Sequence, residues 1–157
     1  MIVVVMGVSG SGKTEIGRRL AARLGCEFIE GDDFHPPDNV AKMASGTPLS
    51  DEDRFPWLLV LNEELRKRQR GVLACSALKE IYRKKLSSGV ENLKLIFLNG
   101  SFDLIEARLK ARRHRYMPAS LLQSQFAALE PPRHAIEVDV RESVEDCVDS
   151  IAARLAG

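Results

Sequence analysis

The chain has 157 residues, of which 45% are hydrophobic and 29% charged, and its 23 basic and 22 acidic residues leave a net charge of +1. This length and composition predict one globular domain over residues 1–157 that folds without a disulfide or a metal ion. The near-zero net charge argues against a general affinity for nucleic acid or for a membrane surface.

Three cysteines are present, Cys26, Cys75 and Cys147, without Cys-x-x-Cys spacing. An odd number without that spacing favours reduced, buried thiols over a disulfide framework or a zinc site. The N-terminal apolar run lacks the basic region of a signal peptide, and no apolar stretch approaches the roughly 20 residues of a membrane-spanning helix. The sequence therefore predicts a cytoplasmic protein with no membrane segment.

The first element is an apolar run at residues 2–6, typical of a central parallel strand that is buried on both faces. A glycine-rich segment follows it and fits the phosphate-loop pattern Gly-x-x-x-x-Gly-Lys-[Ser/Thr]. Its residues are Gly7, Val8, Ser9, Gly10, Ser11, Gly12, Lys13 and Thr14. A strand before the pattern and a helix after it form the context in which it binds a nucleoside triphosphate.

This phosphate loop predicts a site for ATP and Mg²⁺. The glycines allow successive backbone N–H groups to surround phosphate oxygens, and the N-terminus of the following helix adds positive potential. Lys13 can reach the β- and γ-phosphates, while the Thr14 hydroxyl suits a magnesium ligand. A glycine-rich turn can also simply join a strand to a helix, but the complete pattern in this context favours phosphate binding.

Strand-like and helix-like segments alternate along the rest of the chain. The apolar spacing predicts a helix over 13–24, a strand over 27–30, an irregular stretch with a short helix over 36–50, and a helix from about 57 to 70. Further strands at 72–75, 93–98 and 135–138 alternate with helices near 79–86, 102–109, 122–129 and 144–155. Five strands separated by helices predict an α/β fold with a parallel sheet covered on both faces.

Ligands of such sheets bind beyond the C-terminal ends of the strands. The rule brings the phosphate loop to the same edge as residues 32–35, 76–79 and 99–100. An Asn-Lys-x-Asp element, which a GTPase would carry, is absent, and the third strand lacks the terminal Asp of motor and transport ATPases. The pattern favours a small kinase whose second substrate docks over the sheet edge.

Several later segments resemble the gluconate kinase family, which is related to shikimate and adenylate kinases. They are Gly31-Asp32-Asp33-Phe34-His35-Pro36, Asp53-Arg54-Phe55-Pro56-Trp57, Cys75-Ser76-Ala77-Leu78-Lys79 and Ser124-Gln125-Phe126-x-x-Leu129-Glu130-x-Pro132. The resemblance implies a three-layer P-loop kinase fold with a five-stranded parallel sheet and a small helical lid at about residues 110–120. It also implies a homodimer that transfers the γ-phosphoryl group of ATP to the 6-hydroxyl of D-gluconate.

Asp32 is the candidate proton acceptor, because it ends the second strand facing the phosphate loop. A turn or capping role is its alternative, and the roles of Asp32 and the adjacent Asp33 cannot be separated by sequence. His35 precedes two prolines in a loop, which leaves a contact with a substrate hydroxyl and a structural role equally open. Trp57 lies on the apolar stripe of its helix and is expected in the core.

A carboxylate substrate needs fixed cations, for which Arg54, Lys79 and Arg83 are the candidates. Arg54 can bind a carboxylate through two hydrogen bonds and ranks first, Lys79 would act as a point charge, and Arg83 ranks third. The alternative is that all three are solvated surface charges.

A basic run precedes Met117-Pro118, where the resemblance places the lid. Its members are Arg108, Lys110, Arg112, Arg113 and Arg115, and Arg108 and Arg112 are the candidates for ATP contacts. Arg115 stands where the family commonly has His, and Glu30 stands where it often has Asp. Glu30 can still orient a Mg²⁺-bound water through its longer side chain.

Other functions remain alternatives. A kinase of another small hydroxy acid, such as shikimate, is disfavoured because Cys75-Ser76-Ala77 lacks the Gly-Gly-Gly turn usual in shikimate kinases. A non-catalytic nucleotide-binding module is disfavoured by the joint presence of Lys13, Thr14 and Asp32. An RNA-binding protein is disfavoured by the near-neutral charge.

Overall fold

A five-stranded parallel sheet in the order β2-β3-β1-β4-β5 forms the centre of the computed structural model, which describes residues 1–111 and 119–157. The strands are β1 Ile2–Met6, β2 Phe28–Glu30, β3 Gly71–Ala74, β4 Leu93–Asn99 and β5 Ile136–Asp139. The helices are α1 Lys13–Leu24, α2 Pro37–Ala44, α3 Asp51–Arg66, α4 Glu80–Ser87, α5 Phe102–Ala111, α6 Ala119–Ala128 and α7 Val144–Ala156. A short 3₁₀ helix, Gly31–Phe34, follows β2. The predicted α/β fold is confirmed.

Strand β1 is buried on both faces, as its continuous apolar sequence predicts. Val3 and Val5 point into the core that α1 and α7 cover, with Leu20 and Ile151 among its buried residues. Successive side chains of a strand alternate between faces. The intervening residues of β1 therefore enter the second core, formed with α3 and α4. Helices thus cover both faces of the sheet, and the fold has three layers.

The order of the strands reverses at β1, which lies between β3 and β4 with Val5 opposite Ala74 and Met6 opposite Phe97. In an open parallel sheet the crevice at such a switch point is where ligands bind. The phosphate loop leaves β1 at this crevice. Within the described part of the chain, no helix combines the length and apolar character needed to cross a membrane.

Helix α3 begins at Asp51 and ends at Arg66, whereas the apolar spacing predicts a helix from about residue 57 to 70. The Asp53 N–H donates to Ser50 Oγ (3.1 Å) and the Ser50 N–H donates to Asp53 Oδ2 (2.9 Å). This reciprocal capping box satisfies two donors at the helix start, ahead of the first apolar residues. Polar capping rather than periodicity therefore defines the N-terminus of α3.

Candidate active site

The phosphate loop forms a cradle of backbone between β1 and α1. Gly10 (φ 83°) and Gly12 (φ 97°) adopt left-handed conformations that favour glycine, and Gly12 caps α1. Lys13 Nζ donates to the Val8 carbonyl at 3.0 Å, which folds the ammonium back over the loop. Ser11 Oγ is buried and has no hydrogen-bond partner among the described residues. A cradle of this shape with an orphaned buried hydroxyl suits a polyphosphate.

The two predicted magnesium-site residues lie in contact, because the Thr14 hydroxyl donates to Glu30 Oε2 at 2.5 Å. No cluster of three or more His, Cys, Asp or Glu side chains that could hold a metal ion occurs in residues 1–111 and 119–157. Mg²⁺ in nucleotide sites commonly takes one or two carboxylates, with phosphates and water completing its octahedron. The hard oxygen donors of Thr14 and Glu30 fit that requirement.

Two cavities flank the loop. The first, of about 280 Å³, is lined by the predicted residues Lys13, Asp32, His35 and Arg54 together with Ser9 and Trp57. The second, of about 330 Å³, lies on the other side, against Gly10, Gly12, Arg108 and Val140. The phosphate loop therefore lies between two cavities whose volumes are close to the lower end of the range usual for ligand pockets, about 300–1,000 Å³.

In the first cavity, Asp32 and His35 face one another across the end of β2. His35 Nε2 lies 3.7 Å from Asp32 Oδ1, and its side chain is 3% exposed whereas that of Asp32 is 69% exposed. The imidazole stacks on Trp57 with ring centroids 3.9 Å apart. Burial lowers the pKa of His35, an effect that Asp32 opposes and Arg54 reinforces. The neutral imidazole is thus favoured, beside an exposed carboxylate.

Trp57 belongs to the core, as predicted, and its Nε1–H donates to the Gly31 carbonyl at 2.8 Å. It also lines the first cavity through its contact with His35, which the apolar pattern does not indicate.

Asp32 lines this cavity, while Asp33 is not among its lining residues. The placement favours Asp32 over Asp33 as the residue that meets a substrate.

Arg54 projects into the first cavity from the first turns of α3. Its Nη1 donates to the Leu49 carbonyl and to the Tyr82 hydroxyl (3.3 Å), and its guanidinium carbon lies 5.3 Å from the centre of the Tyr82 ring. Both of these hydrogen bonds use one terminal nitrogen. The guanidinium is therefore held in place by one nitrogen and an aromatic face, in a cavity where a carboxylate could bind its other N–H groups.

Lys79 lies outside this cavity but is coupled to Arg54 through Asp51 and Tyr82. Lys79 Nζ donates to Asp51 Oδ1 at 2.9 Å, and the Tyr82 hydroxyl donates to the same oxygen. These hydrogen bonds, from Tyr82 first and then Lys79, lower the pKa of Asp51. Lys79 therefore neutralises a carboxylate at the start of α3, a network that the spacing of basic residues does not predict.

Arg83 is not brought to the first cavity. Its Nη1 donates to the carbonyls of Ala77 (2.8 Å) and Leu78 (3.1 Å), and its Nη2 donates to the Glu130 carbonyl (2.9 Å). It lines a separate groove of about 950 Å³ beside α4. The guanidinium joins the loop after β3 to the segment after α6, and this placement gives its predicted substrate contact no support.

Gln125 of α6 holds the phosphate loop, a role that sequence reasoning missed. Its Oε1 accepts from the Ser9 N–H at 2.7 Å, and its Nε2 donates to Ser9 Oγ at 3.0 Å. Gln125 and Ser9 both line the first cavity. The only available signal was the resemblance of the Ser124-Gln125-Phe126 segment, which carries no role by itself.

Of the basic run, Arg108 lies beside the loop and donates to the Val140 carbonyl at the rim of the second cavity. Arg112, for which an ATP contact is predicted, lies outside the described residues. Arg115 and the central part of the predicted lid also lie outside them.

Comparison with known proteins gives consistent matches. A family model described as shikimate kinase matches residues 9–145. The thermosensitive gluconokinase of Escherichia coli (strain K12) is 43% identical over 96% of this chain and 87% of its own length. The gluconokinase of Gluconobacter oxydans (strain 621H) is 47% identical over 83% of this chain and 75% of its own. The crystal structure of a gluconokinase from Sinorhizobium meliloti 1021 superimposes with a TM-score of 0.92 at 46% identity, covering 98% of this chain and 90% of that one.

The residues matched by the family model begin inside the phosphate loop and include most of those that line the two cavities. The matches agree with the resemblance carried by residues 31–36, 53–57, 75–79 and 124–132. The chain belongs to the shikimate kinase family of P-loop kinases and, within it, to the gluconokinases.

Proposed function

We propose that the chain phosphorylates the 6-hydroxyl of D-gluconate with ATP, giving 6-phospho-D-gluconate and ADP. The observation that carries the proposal is the first cavity, which places Lys13 of the phosphate loop, the Asp32 carboxylate and the Arg54 guanidinium around one space of about 280 Å³. A space of this size suits a small polar acid next to a phosphate donor. The relatives named gluconokinase supply the identity of that acid.

The nucleotide is assigned to the loop and the second cavity. The triphosphate lies along the N–H groups of residues 8–14, and the nucleoside extends toward Arg108 and Val140. Thr14 and Glu30 would hold Mg²⁺, which when bound neutralises charge on the β- and γ-phosphate oxygens. Lys13 leaves its contact with the Val8 carbonyl to reach those oxygens.

The acceptor occupies the first cavity. Its carboxylate pairs with Arg54, and its 6-hydroxyl lies between Asp32 and the γ-phosphate. As the new O–P bond forms and the bond to the β-phosphate breaks, Asp32 accepts the hydroxyl proton and ADP leaves with the electron pair. Most of the rate acceleration then comes from positioning and charge neutralisation, as is general in phosphoryl transfer.

We also infer a cytoplasmic homodimer. The location is supported by the reduced state expected of the buried Cys75 and Cys147. The dimer is supported by exposed apolar side chains on α3 and α4, namely Leu59 (58% exposed) and Ile81 (45%). Light scattering coupled to size-exclusion chromatography tests the assembly: a monomer at micromolar concentration contradicts it.

A coupled assay of ADP release tests the function. D-gluconate, its stereoisomers, shikimate and D-glucose are each offered with ATP and Mg²⁺, and the product from gluconate is located by NMR. The proposal expects gluconate to have the highest kcat/KM and the phosphate to be on the 6-oxygen. Faster turnover of shikimate identifies a different hydroxy-acid kinase, and tight ATP binding without turnover of any acceptor identifies a binding module.

A further inference from the structure

Asn39 of α2 is a buried polar residue that no part of the proposed reaction uses. It is 3% exposed, and the only other buried polar residues in the described part of the chain are Ser11 and Asn62. Its Nδ2 donates to the Asp53 carbonyl at 2.9 Å and lies 3.2 Å from His35 Nδ1. A buried amide generally has a hydrogen-bond partner, and here one partner is His35, a residue of the first cavity.

The chemistry of these contacts determines which nitrogen of His35 carries the proton. The Asp53 carbonyl can only accept, so the group of Asn39 that faces it must be the amide nitrogen, which is a donor. The same nitrogen has a second hydrogen, and His35 Nδ1 is within reach of it. Nδ1 must therefore accept. In the neutral imidazole the proton then resides on Nε2, the atom that faces Asp32 Oδ1.

The surroundings of His35 favour this neutral form. Its ring is stacked on Trp57 and almost fully buried. The charged groups that act on it are Asp32, from the 3₁₀ turn, and Arg54, from α3. Burial and Arg54 both disfavour the imidazolium, so that the pKa lies below its ordinary value. Asp53 presents a backbone oxygen to Asn39 and directs its carboxylate to Lys42, with both oxygens 2.9 Å from Nζ.

We propose that Asn39 is a positioning residue that fixes His35 as its Nε2–H tautomer, so that Nε2–H faces the Asp32 carboxylate at 3.7 Å and can donate to an oxygen of the acceptor substrate that lies between them. The consequence for catalysis rests on the proposed function. An Nε2–H group cannot take the proton of the substrate hydroxyl, so Asp32 remains the acceptor. The other tautomer would place a lone pair against the Asp32 carboxylate and compete for that proton.

The tautomer is measured directly by ¹⁵N NMR of the imidazole nitrogens. The chain has three histidines, so a His35→Gln variant assigns the signals of His35. The wild type at pH 7.5 is expected to show protonated Nε2 and unprotonated Nδ1. Because an aspartate cannot donate, Asn39→Asp should move the proton to Nδ1 or produce the imidazolium, and Asn39→Leu should give a mixture of tautomers.

Activity gives the second measurement. Asn39→Asp places a carboxylate beside His35, which favours the charged form, so the acid limb of the kcat profile should shift to higher pH. We expect kcat to fall about 10- to 100-fold, as for other residues that orient a group at the reacting atoms. Asn62→Ala is the matched control, since Asn62 is 4% exposed and donates to the carbonyls of Leu86 and Ser88, in the core between α3 and α4.

A wild-type Nδ1–H tautomer, or an Asn39→Asp variant with the proton still on Nε2, overturns the proposal. The proposal is also overturned if Asn39→Leu and Asn62→Ala lose the same thermal stability and both keep the wild-type pH profile of kcat. Asn39 would then be a structural residue only. If Asn39→Asp does not fold, the ¹⁵N spectra of the wild type and of Asn39→Leu test the tautomer assignment. The spectra need no substrate, so a fixed Nε2–H tautomer in a chain without gluconate turnover supports the tautomer assignment and overturns the proposed function.

Discussion

Thr14 Oγ1 and Glu30 Oε2 lie 2.5 Å apart, which joins the first turn of α1 to the last residue of β2. One residue is the final position of the phosphate loop and the other ends the strand that leads to Asp32. The contact brings the two magnesium candidates together, one next to Lys13 in the chain and the other two residues before Asp32. The Glu30 carboxylate therefore reaches the last residue of the phosphate loop.

Replacing Glu30 by Gln should raise the Mg²⁺ concentration needed for half-maximal activity, because the amide lacks the charge that a magnesium-bound water or Mg²⁺ prefers. An increase of about tenfold or more is expected, with a smaller effect on KM for gluconate at saturating Mg²⁺. Magnesium titrations of the coupled assay measure it. Glu27→Gln is the control, because the Glu27 carboxylate pairs with Arg68 instead. Equal magnesium requirements in both variants would remove Glu30 from the metal site.

Asp32→Asn should preserve ATP binding and lower kcat by about 10²–10⁴-fold, the range expected for loss of a general base. Asp33→Asn is the adjacent control and should stay close to wild type, since Asp32 lines the substrate cavity and Asp33 does not. Steady-state kinetics with a nucleotide-binding titration separate the two effects. If Asp33→Asn is the inactive variant, the roles of the two aspartates are exchanged.

The fold could be predicted from the sequence because each of its signals is local. The apolar run of β1, the phosphate loop and the spacing of Ile16 and Leu20 predict their elements within a residue or two. The start of α3 was missed because Ser50 and Asp53 define it through hydrogen bonds, before any apolar periodicity begins.

The candidate site could be predicted only where a sequence motif carries the residue. Lys13, Asp32, His35 and Arg54 meet in one cavity as expected. Arg83 does not reach that cavity, because a basic residue near a strand end can equally turn toward backbone carbonyls. Gln125 lies 116 residues from Ser9 in the chain, a distance over which periodicity carries no information.

The stability of the chain should fall in acid partly through Asp53. Its pKa is lowered from 3.8 to about 2, first by the hydrogen bond from Lys42 and then by the Ser50 N–H. Because the native pKa lies below the unfolded one, this stabilisation is present above about pH 4 and is lost as pH falls toward 2. Urea unfolding from pH 5 to pH 2 should show a shallower pH dependence for Asp53→Asn. Lys42→Ala should change the slope in the same direction but less, and an unchanged slope in both variants contradicts the assignment.

Gln125→Leu should impair catalysis, because it removes both hydrogen bonds that hold Ser9 in the phosphate loop. We expect kcat/KM for ATP to fall roughly 10- to 100-fold, since small displacements of positioning groups have effects of that size. Gln123→Leu adds the same apolar group at an exposed position of α6 and should leave the kinetics unchanged. A Gln125→Leu enzyme with wild-type kcat/KM for ATP would show that the contact with Ser9 is dispensable.

Arg54→Ala should raise KM for gluconate strongly while KM for ATP changes little. The Arg54 guanidinium, held at Nη1 by Leu49 and Tyr82, is the cation that lines the substrate cavity beside Lys13. Losing a charge-assisted contact costs on the order of 2–5 kcal/mol, which corresponds to an increase in KM of about 30-fold or more. Arg66→Ala, on the same helix but directed to Asn62, is the control. D-glucose, which has no carboxylate, should be a poor substrate for the wild type and should be affected much less by Arg54→Ala. Unchanged KM for gluconate in Arg54→Ala, or equal turnover of glucose and gluconate by the wild type, would mean that the acid is recognised elsewhere.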